Sequence, residues 1–293
     1  MRAFSKVHPF TALVYFLCVL AIAMFLANPV FSSIALLGGI LFCVPLTNAK
    51  EKYADLRFYL PLFILIAVTN PLFSHNGVTP LFFMNGNAVT LEAILYGIGM
   101  GLMLIAVLLW CKAYSYVMTT DKFLYLFGSI IPQLSLVLSM ALRYIPMLKR
   151  QARQMRRSQK AMGLYSSRSY TDRVRATLRV FLALVGWSLE HAVETGKAMR
   201  ARGYGNGRRT QYHYFRFGRT DAALLGICIA VCTIIAFGGI LHRLDFFYYP
   251  RITQLNTSPL AMICYVAFAV LALLPFILET EELLLWNYYR SKI

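Results

Sequence analysis

Long apolar runs separated by short polar segments dominate the pattern along this chain. Six of the runs approach or exceed the roughly 20 apolar residues that cross a bilayer as a helix. They lie at 10–27, 30–47, 58–73, 93–117, 222–241 and 260–278. The pattern therefore predicts an all-α polytopic membrane protein with about six transmembrane helices.

The first run has a feature of a cleaved signal peptide, because Arg2 and Lys6 precede it. However, Asn28-Pro29 and a second apolar run follow it, rather than a cleavage site of small residues. We expect this run to be kept as a transmembrane helix.

The positive charge is concentrated in one part of the chain. The formal net charge is +17, and residues 119–220 hold 19 Lys and Arg against four acids. With 59% hydrophobic and only 14% charged residues, the chain is neither a water-soluble domain nor a disordered segment. We predict transmembrane helices in 1–118, a basic cytoplasmic domain in 119–220, and two further transmembrane helices with a cytoplasmic tail in 221–293.

The distribution of Lys and Arg between the spans sets the expected orientation. The segments after the first and third spans contain none, whereas both termini and the segment after the second span do. The basic residues of these inner segments are Arg2, Lys6, Lys50, Lys52, Arg57, Arg290 and Lys292. Both termini and 119–220 are therefore predicted to lie on the cytoplasmic side of the cell membrane, which the chain crosses several times. Arg243 and Arg251 are a mild exception, because the segment between the fifth and sixth spans is predicted to lie outside.

Helical patterns continue through the basic segment. Pro132 interrupts an apolar stretch at 123–144, which predicts a broken helical pair at the inner membrane face. A first basic helix is predicted from Pro146, in its first turn, to Gly163 just beyond its end. A second runs from an N-cap at Thr171 to Gly203.

These two helices end alike. The ends read Lys160-Ala161-Met162-Gly163 and Arg200-Ala201-Arg202-Gly203, 40 residues apart. Such a repeat permits two equivalent contacts with a dimeric partner.

The basic segment resembles the transmembrane coupling (T) component of energy-coupling factor (ECF) transporters, the CbiQ-like family of cobalt and vitamin importers. In that family two cytoplasmic coupling helices each end in Ala-Arg-Gly. The second motif is intact here at Ala201–Gly203, whereas Met162 replaces the arginine of the first. The stretch from Arg143 to Pro146 resembles the family's Arg-aromatic-Ile-Pro sequence.

The resemblance implies partners and a mechanism. The partners are two ATP-binding-cassette (ABC) ATPases, identical or different, and a small substrate-binding membrane protein, the S component. Each coupling helix docks on one ATPase, and Arg202 pairs with a carboxylate there. The ATPases hydrolyse ATP, so this chain binds no cofactor or metal and is not an enzyme. The cargo, a vitamin or a transition metal ion, is selected by the S component.

The resemblance also implies how the apolar faces are used: they pack the two helices on each other and beneath the S component. On the second helix this stripe consists of Val174, Leu178, Phe181, Val185, Leu189 and Val193. Anionic lipid headgroups are a further expected partner of the basic segment. Nucleic acid is not, since no nucleic-acid-binding module occurs.

The main alternative is a polytopic membrane-embedded enzyme with a basic cytoplasmic loop. Glu190, His191 and Glu194 are the compact group that could serve it, because His191 and Glu194 have metal-ligand spacing. Pairing of Glu194 with Lys197 explains that glutamate equally well.

Several other polar and small residues have two interpretations. Gly97 and Gly101 suit either helix packing within this chain or an S-component face. Glu92 is expected at the membrane interface. Glu279, Glu281 and Glu282 either pair with the basic segment or form a solvated helix, and we prefer the second.

Overall fold

A computed structural model describes residues 4–74, 77–84, 87–163, 169–207 and 215–290. Within these ranges the chain forms nine α-helices, one short hairpin and an initial 3-10 turn, Phe4–Lys6. The helices are α1 Pro9–Phe25, α2 Pro29–Leu46, α3 Ala49–Phe73, α4 Leu91–Val117, α5 Thr120–Ile130, α6 Pro132–Ala161, α7 Tyr170–Ala201, α8 Arg219–Ile240 and α9 Pro259–Arg290. The predicted all-α polytopic architecture is confirmed. Arg2 and Lys292, which supported the orientation, lie outside the described residues.

Six of the described helices are long and apolar enough to cross a membrane, namely α2, α3, α4, α7, α8 and α9. This set differs from the predicted one at two helices. The 17-residue α1 is shorter than the other spans, and the 32-residue α7 qualifies by length and composition. Length and composition alone do not fix where α7 lies, because a long helix with one apolar face satisfies both.

The chain divides into two compact units. Met1–Phe123 and Phe215–Ile293 form the first unit, and Leu124–Tyr214 forms the second. The sequence-based boundaries, at 118/119 and 220/221, lie five residues before the first of these boundaries and six residues after the second.

Aromatic side chains fill the core of the first unit. Tyr15, Phe16, Phe42 and Trp110 contact one another there, and α4 packs against α1, α2 and α3. The Trp110 indole N–H donates to the Ala35 carbonyl (2.9 Å), and the Tyr15 hydroxyl donates to the Leu271 carbonyl (2.9 Å). The polar atoms of these buried rings are thus satisfied, as an apolar interior requires.

The start of α3 was predicted too late. Lys50, Lys52 and Arg57 lie on the first turns of α3, not in a loop before it. The reason is tertiary: the acids between these cations bind α4. The Tyr116 hydroxyl donates to Glu51 (2.8 Å), and Asp55 forms an ion pair with Lys112.

A two-stranded antiparallel hairpin occupies part of the segment between α3 and α4. Its strands are β1 Pro80–Met84 and β2 Asn87–Thr90. Glu92 follows the hairpin in the first turn of α4, and its side chain is buried among the described residues. Its carboxylate accepts a hydrogen bond from the Thr79 hydroxyl (2.7 Å), which offsets the loss of water. The location of Glu92 at the membrane interface stays a prediction.

The acidic run on α9 is not a solvated face. Glu279 is buried, and Glu282 pairs with Lys6 in the initial turn rather than with the basic segment. Glu281 alone of the three is exposed. The initial turn also packs against α9, so the described start and end of the chain meet in one place.

Candidate functional site

The two basic helices, α6 and α7, pack side by side within the second unit. The Tyr144 hydroxyl lies 2.8 Å from the Thr195 hydroxyl. The His191 ring stacks on Trp187 (centroids 5.1 Å apart) and meets Tyr144 edge-on (5.7 Å). These contacts fix the last third of α7 against the middle of α6.

The start of α6 differs from the prediction. The helix begins at Pro132 rather than at Pro146, which lies inside it, exposed like Arg143. Pro132 takes the first helical position, where its missing N–H is not needed. The predicted break is confirmed, because α5 ends at Ile130 and α6 starts two residues later.

The start of α7 also shifts slightly. Ser169, not Thr171, occupies the N-cap position, and Thr171 lies in the first turn. The two hydroxyls are 2.8 Å apart.

The ends of α6 and α7 have the same backbone geometry. Met162 (φ −79°, ψ 7°) and Arg202 (φ −82°, ψ 7°) are the C-cap residues, and Gly163 and Gly203 each have φ +80°. The N–H of Met162 bonds to the Ser158 carbonyl and that of Arg202 to the Ala198 carbonyl, both at 3.1 Å. Met162 therefore stands at the structural position of Arg202.

Two further hydrogen bonds close the α7 end. The Gly203 N–H donates to the Arg200 carbonyl (2.9 Å), and the Tyr204 N–H donates to the Met199 carbonyl (3.0 Å). This pair of bonds is the Schellman motif, which needs a residue with positive φ. In α6, Gly163 makes the first of them, to Lys160 (3.1 Å).

Both ends are open to their surroundings. Met162 is 69% exposed, and Lys160, Arg200 and Arg202 are exposed as well. No described atom lies within 4 Å of the place where a Cβ would stand on Gly163 or Gly203. These glycines are therefore required by their left-handed conformation and not by crowding.

The surface of α6 is strongly cationic. The basic residues on its second half are Lys149, Arg150, Arg153, Arg156, Arg157 and Lys160. None of them forms an ion pair within the part of the chain that the structure describes. Such a surface favours an anionic partner.

The group of Glu190, His191 and Glu194 that the enzyme alternative would need does not form a three-ligand cluster in the described structure. His191 Nδ1 lies 3.8 Å from Glu194 Oε2, close enough for an ion pair when the imidazole is protonated, whereas Glu194 and Lys197 form no ion pair among the described residues. Among the described residues, no three His, Cys, Asp or Glu side chains come together as metal ligands. His75 and His213 lie outside the described residues.

The apolar stripe of α7 does not pack on α6, contrary to expectation. Its six members are 39% to 64% exposed. The residues of α7 that are buried or that contact Tyr144, such as Ala176, Val180, His191 and Thr195, follow a different face. Periodicity identifies an apolar face but not its partner, and α7 has a second, narrower face made partly of rings and a hydroxyl.

The structure places Gly97 and Gly101 against α3. A Cβ on Gly97 would lie 2.8 Å from the Ala67 carbonyl oxygen, and one on Gly101 would lie 2.8 Å from the Phe63 ring. The small residues thus permit close approach of α3 and α4.

These observations define a multi-pass helical membrane protein that carries a pair of basic helices whose ends share one backbone conformation. Residues 2–214 match the family described as Cobalt transport protein (CbiQ), which covers most of the chain and all the residues of both helix ends. The chain belongs to this family, and the resemblance inferred from its sequence is confirmed.

Relatives agree with the family. The chain is 29% identical over 229 residues to the energy-coupling factor transporter transmembrane protein EcfT of Acidaminococcus fermentans, which covers 74% of this chain and 85% of that protein. It is 34% identical over 107 residues to EcfT of Listeria innocua, which covers 36% of this chain and only 40% of that protein. EcfT of Staphylococcus aureus is 27% identical over 212 residues, which is 61% of this chain and 79% of that protein. The chain is thus similar to transmembrane components of transporters.

Proposed function

We propose that this chain couples ATP hydrolysis by two cytoplasmic ABC ATPases to an S component that imports a vitamin or a transition metal ion. The observation that carries the proposal is the repeated end of α6 and α7. Two copies of one backbone turn, 40 residues apart, each expose the residue before a left-handed glycine. A pair of related ATPases needs two such equivalent contacts.

Arg202 makes the principal contact at the α7 end. Its guanidinium binds an ATPase carboxylate, and the planar fork allows two parallel hydrogen bonds. Arg200 and Lys160 add positive charge near the two contacts. The Schellman turn at Gly203 holds the backbone so that Arg202 projects at the tip of the helix.

Helices α6 and α7 transmit movement because they are long and pack against each other. At 1.5 Å per residue, the 32 residues of α7 extend about 48 Å. The contacts of Tyr144 with His191 and Thr195 keep α6 and α7 moving as one. When ATP binding closes the ATPases, the displacement of the helix ends reaches the S component, which reorients and releases its cargo inward.

The exposed stripe of α7 supports the contact with the S component. Four of its six members are more than half exposed, namely Leu178, Phe181, Leu189 and Val193. Apolar side chains in such a row favour burial against another apolar surface. The S component supplies that surface in the assembled transporter.

The proposal places both termini and the α6–α7 helices on the cytoplasmic side of the cell membrane. The concentration of Lys and Arg in residues 119–220 supports this side. Anionic lipid headgroups then neutralise part of the basic surface. In this scheme the chain itself holds no cofactor and performs no catalysis.

Arg202→Glu tests the contact at the α7 end. The substitution turns attraction to a carboxylate into repulsion, so we expect the ATPases to be lost when the chain is purified from a cell that makes all components. Transport should fall in parallel. Arg175→Glu, on the exposed start of the same helix, is the matched control and should keep the ATPases bound. Normal co-purification and transport with Arg202→Glu would contradict the proposal.

Met162→Arg tests the equivalence of the two ends. Because Met162 has the backbone position of Arg202, the new guanidinium should be tolerated or should strengthen ATPase binding. Retention of the ATPases at increasing salt concentration measures the effect. A complex that no longer assembles would show that the two ends bind differently.

A further inference from the structure

A crevice of about 400 Å³ lies between α2 and α3 in the first unit. Both helices pack closely on α4 but hardly touch each other, so α4 forms the floor and the other two form the walls. Val44 lies on the α2 wall, Leu56 and Phe63 on the α3 wall, and Ile105 on the floor. We call this space the α2–α3 crevice.

The crevice is apolar along its length and polar at one end. Thr47, Lys52 and Asp55 line that end, beside the two-residue link between α2 and α3. The Asp55 carboxylate is already paired with Lys112 of α4, and the Thr47 hydroxyl donates to the Cys43 carbonyl (2.9 Å). Lys52 is therefore the charged group at the mouth that remains available to a ligand.

The surrounding charge is positive. Glu51 and Asp55, the acids on the first turns of α3, are bound by Tyr116 and Lys112. Lys50, Lys52 and Arg57 are exposed and form no ion pair with any described residue. The mouth of the crevice thus favours an anion.

The crevice also has the depth of one membrane leaflet. Phe63 lies 11 residues beyond Lys52 on α3, or about 16 Å along the helix at 1.5 Å per residue. Half of a hydrocarbon core of about 30 Å is about 15 Å. Val44 is 46% exposed and Leu60 is 54% exposed, so the crevice is open along its side.

We propose that the α2–α3 crevice binds an anionic phospholipid, with an acyl chain between α2 and α3 and the headgroup phosphate on Lys52. The ligand matches the site in three respects: its chain is apolar, its length is that of one leaflet, and its phosphate is negative. A transmembrane helix of another protein would fill the apolar part, but it would leave the cation at the mouth without a partner. The bound acyl chain would hold α3 at a fixed distance from α2.

The test uses the full chain purified in detergent and titrated with phosphatidylglycerol or with phosphatidylcholine of the same acyl composition. Native mass spectrometry measures the bound lipid. We expect one phosphatidylglycerol to bind with saturation and more tightly than the lipids attracted to the basic surface of α6 and α7, and phosphatidylcholine to bind much more weakly. Equal binding of the two lipids would overturn the proposal.

Two variants separate the headgroup contact from the chain contact. Lys52→Gln should weaken phosphatidylglycerol binding about fivefold, which corresponds to about 1 kcal/mol for one basic residue. Val44→Phe places a ring in the crevice and should weaken it about tenfold. Lys52→Gln replaces an exposed side chain, so it remains informative if Val44→Phe does not fold.

The controls match each change in chemistry. Val266→Phe makes the same substitution on the exposed surface of α9, and Arg219→Gln removes a cation at the exposed start of α8. Both should bind phosphatidylglycerol like the unaltered chain. If Val44→Phe left lipid binding intact but prevented co-purification of the S component, the crevice would be a protein-docking site and the proposal would be wrong. The lipid measurement involves no ATPase, so its outcome is independent of that of Arg202→Glu.

Discussion

Asp221 joins two distant segments of the first unit. One carboxylate oxygen accepts from the His8 N–H (2.8 Å), and the other accepts from the Gly218 N–H (2.9 Å) at the start of α8. Lys122 lies nearby, and its ammonium is buried with no hydrogen-bond partner among the described residues. Both carboxylate oxygens of Asp221 thus accept hydrogen bonds, whereas the buried Lys122 ammonium donates none to a described residue.

Burial lowers the pKa of the Lys122 ammonium, and the Asp221 carboxylate opposes this shift less strongly. A lysine whose pKa is lowered on folding destabilises the folded state at every pH where it is charged in both states. That penalty fades as the pH rises from the folded pKa toward the unfolded value of about 10.4.

Lys122→Met should therefore stabilise the protein at neutral pH, by about 1 kcal/mol, because a buried unsatisfied charge is replaced by an apolar chain of similar length. Thermal unfolding in detergent at pH 7 measures the gain, which should shrink at a pH of about 10. Lys197→Met, at an exposed lysine of α7, is the control and should change stability by less than about 0.5 kcal/mol. A lower unfolding temperature for Lys122→Met at pH 7 would show that the Asp221 attraction outweighs the burial.

The ends of α6 and α7 are the elements whose local conformation matters most for the proposed function. Four glycines test this, because α7 contains Gly186 and Gly196 within the helix while Gly163 and Gly203 follow the two ends. At all four, the space that a Cβ would occupy has no described atom within 4 Å, so crowding does not distinguish them. They differ in φ, which is +80° only at the two ends.

Gly203→Ala should destabilise the α7 end by about 1–2 kcal/mol, because an L-residue resists the left-handed conformation. Gly196→Ala should instead stabilise the helix by about 1 kcal/mol, since alanine is the better helix former. Amide hydrogen exchange over 196–205 reports the two effects, and ATPase co-purification should fall for the first variant alone. Equal effects at the two positions would mean that the turn is not held by its positive φ.

For the whole molecule, the side of the membrane on which α7 lies decides whether the proposed coupling is possible. α7 is long and apolar enough to span a bilayer, yet the proposed function needs both of its ends in the cytoplasm. Its flanks carry cations at both ends, including Arg173, Arg175 and Arg200. The positive-inside tendency therefore favours the cytoplasmic side for both ends of α7.

Single cysteines at Tyr170 and Asn206, placed in a cysteine-free background, should react with a membrane-impermeant thiol reagent only after the cytoplasmic side is opened. Asn256→Cys, between α8 and α9, should react from outside and serves as the control. If one α7 flank reacted from outside and the other did not, α7 would cross the membrane and the coupling proposal would have to be abandoned.

Much of this molecule was determined by the sequence alone. Apolar length determines a membrane helix because an unpaired backbone is too costly in lipid. Glycine after Ala161-Met162 and Ala201-Arg202 determines a helix end because positive φ is a local requirement.

The tertiary structure alone decided which faces meet. Three features depend on contacts between segments distant in the chain. They are the orientation of the α7 stripe away from α6, the burial of Glu92 and Glu279, and the early start of α3 at Ala49. A periodic pattern shows that a face is apolar or charged, but its neighbour is chosen by packing and by hydrogen-bond partners from elsewhere in the fold.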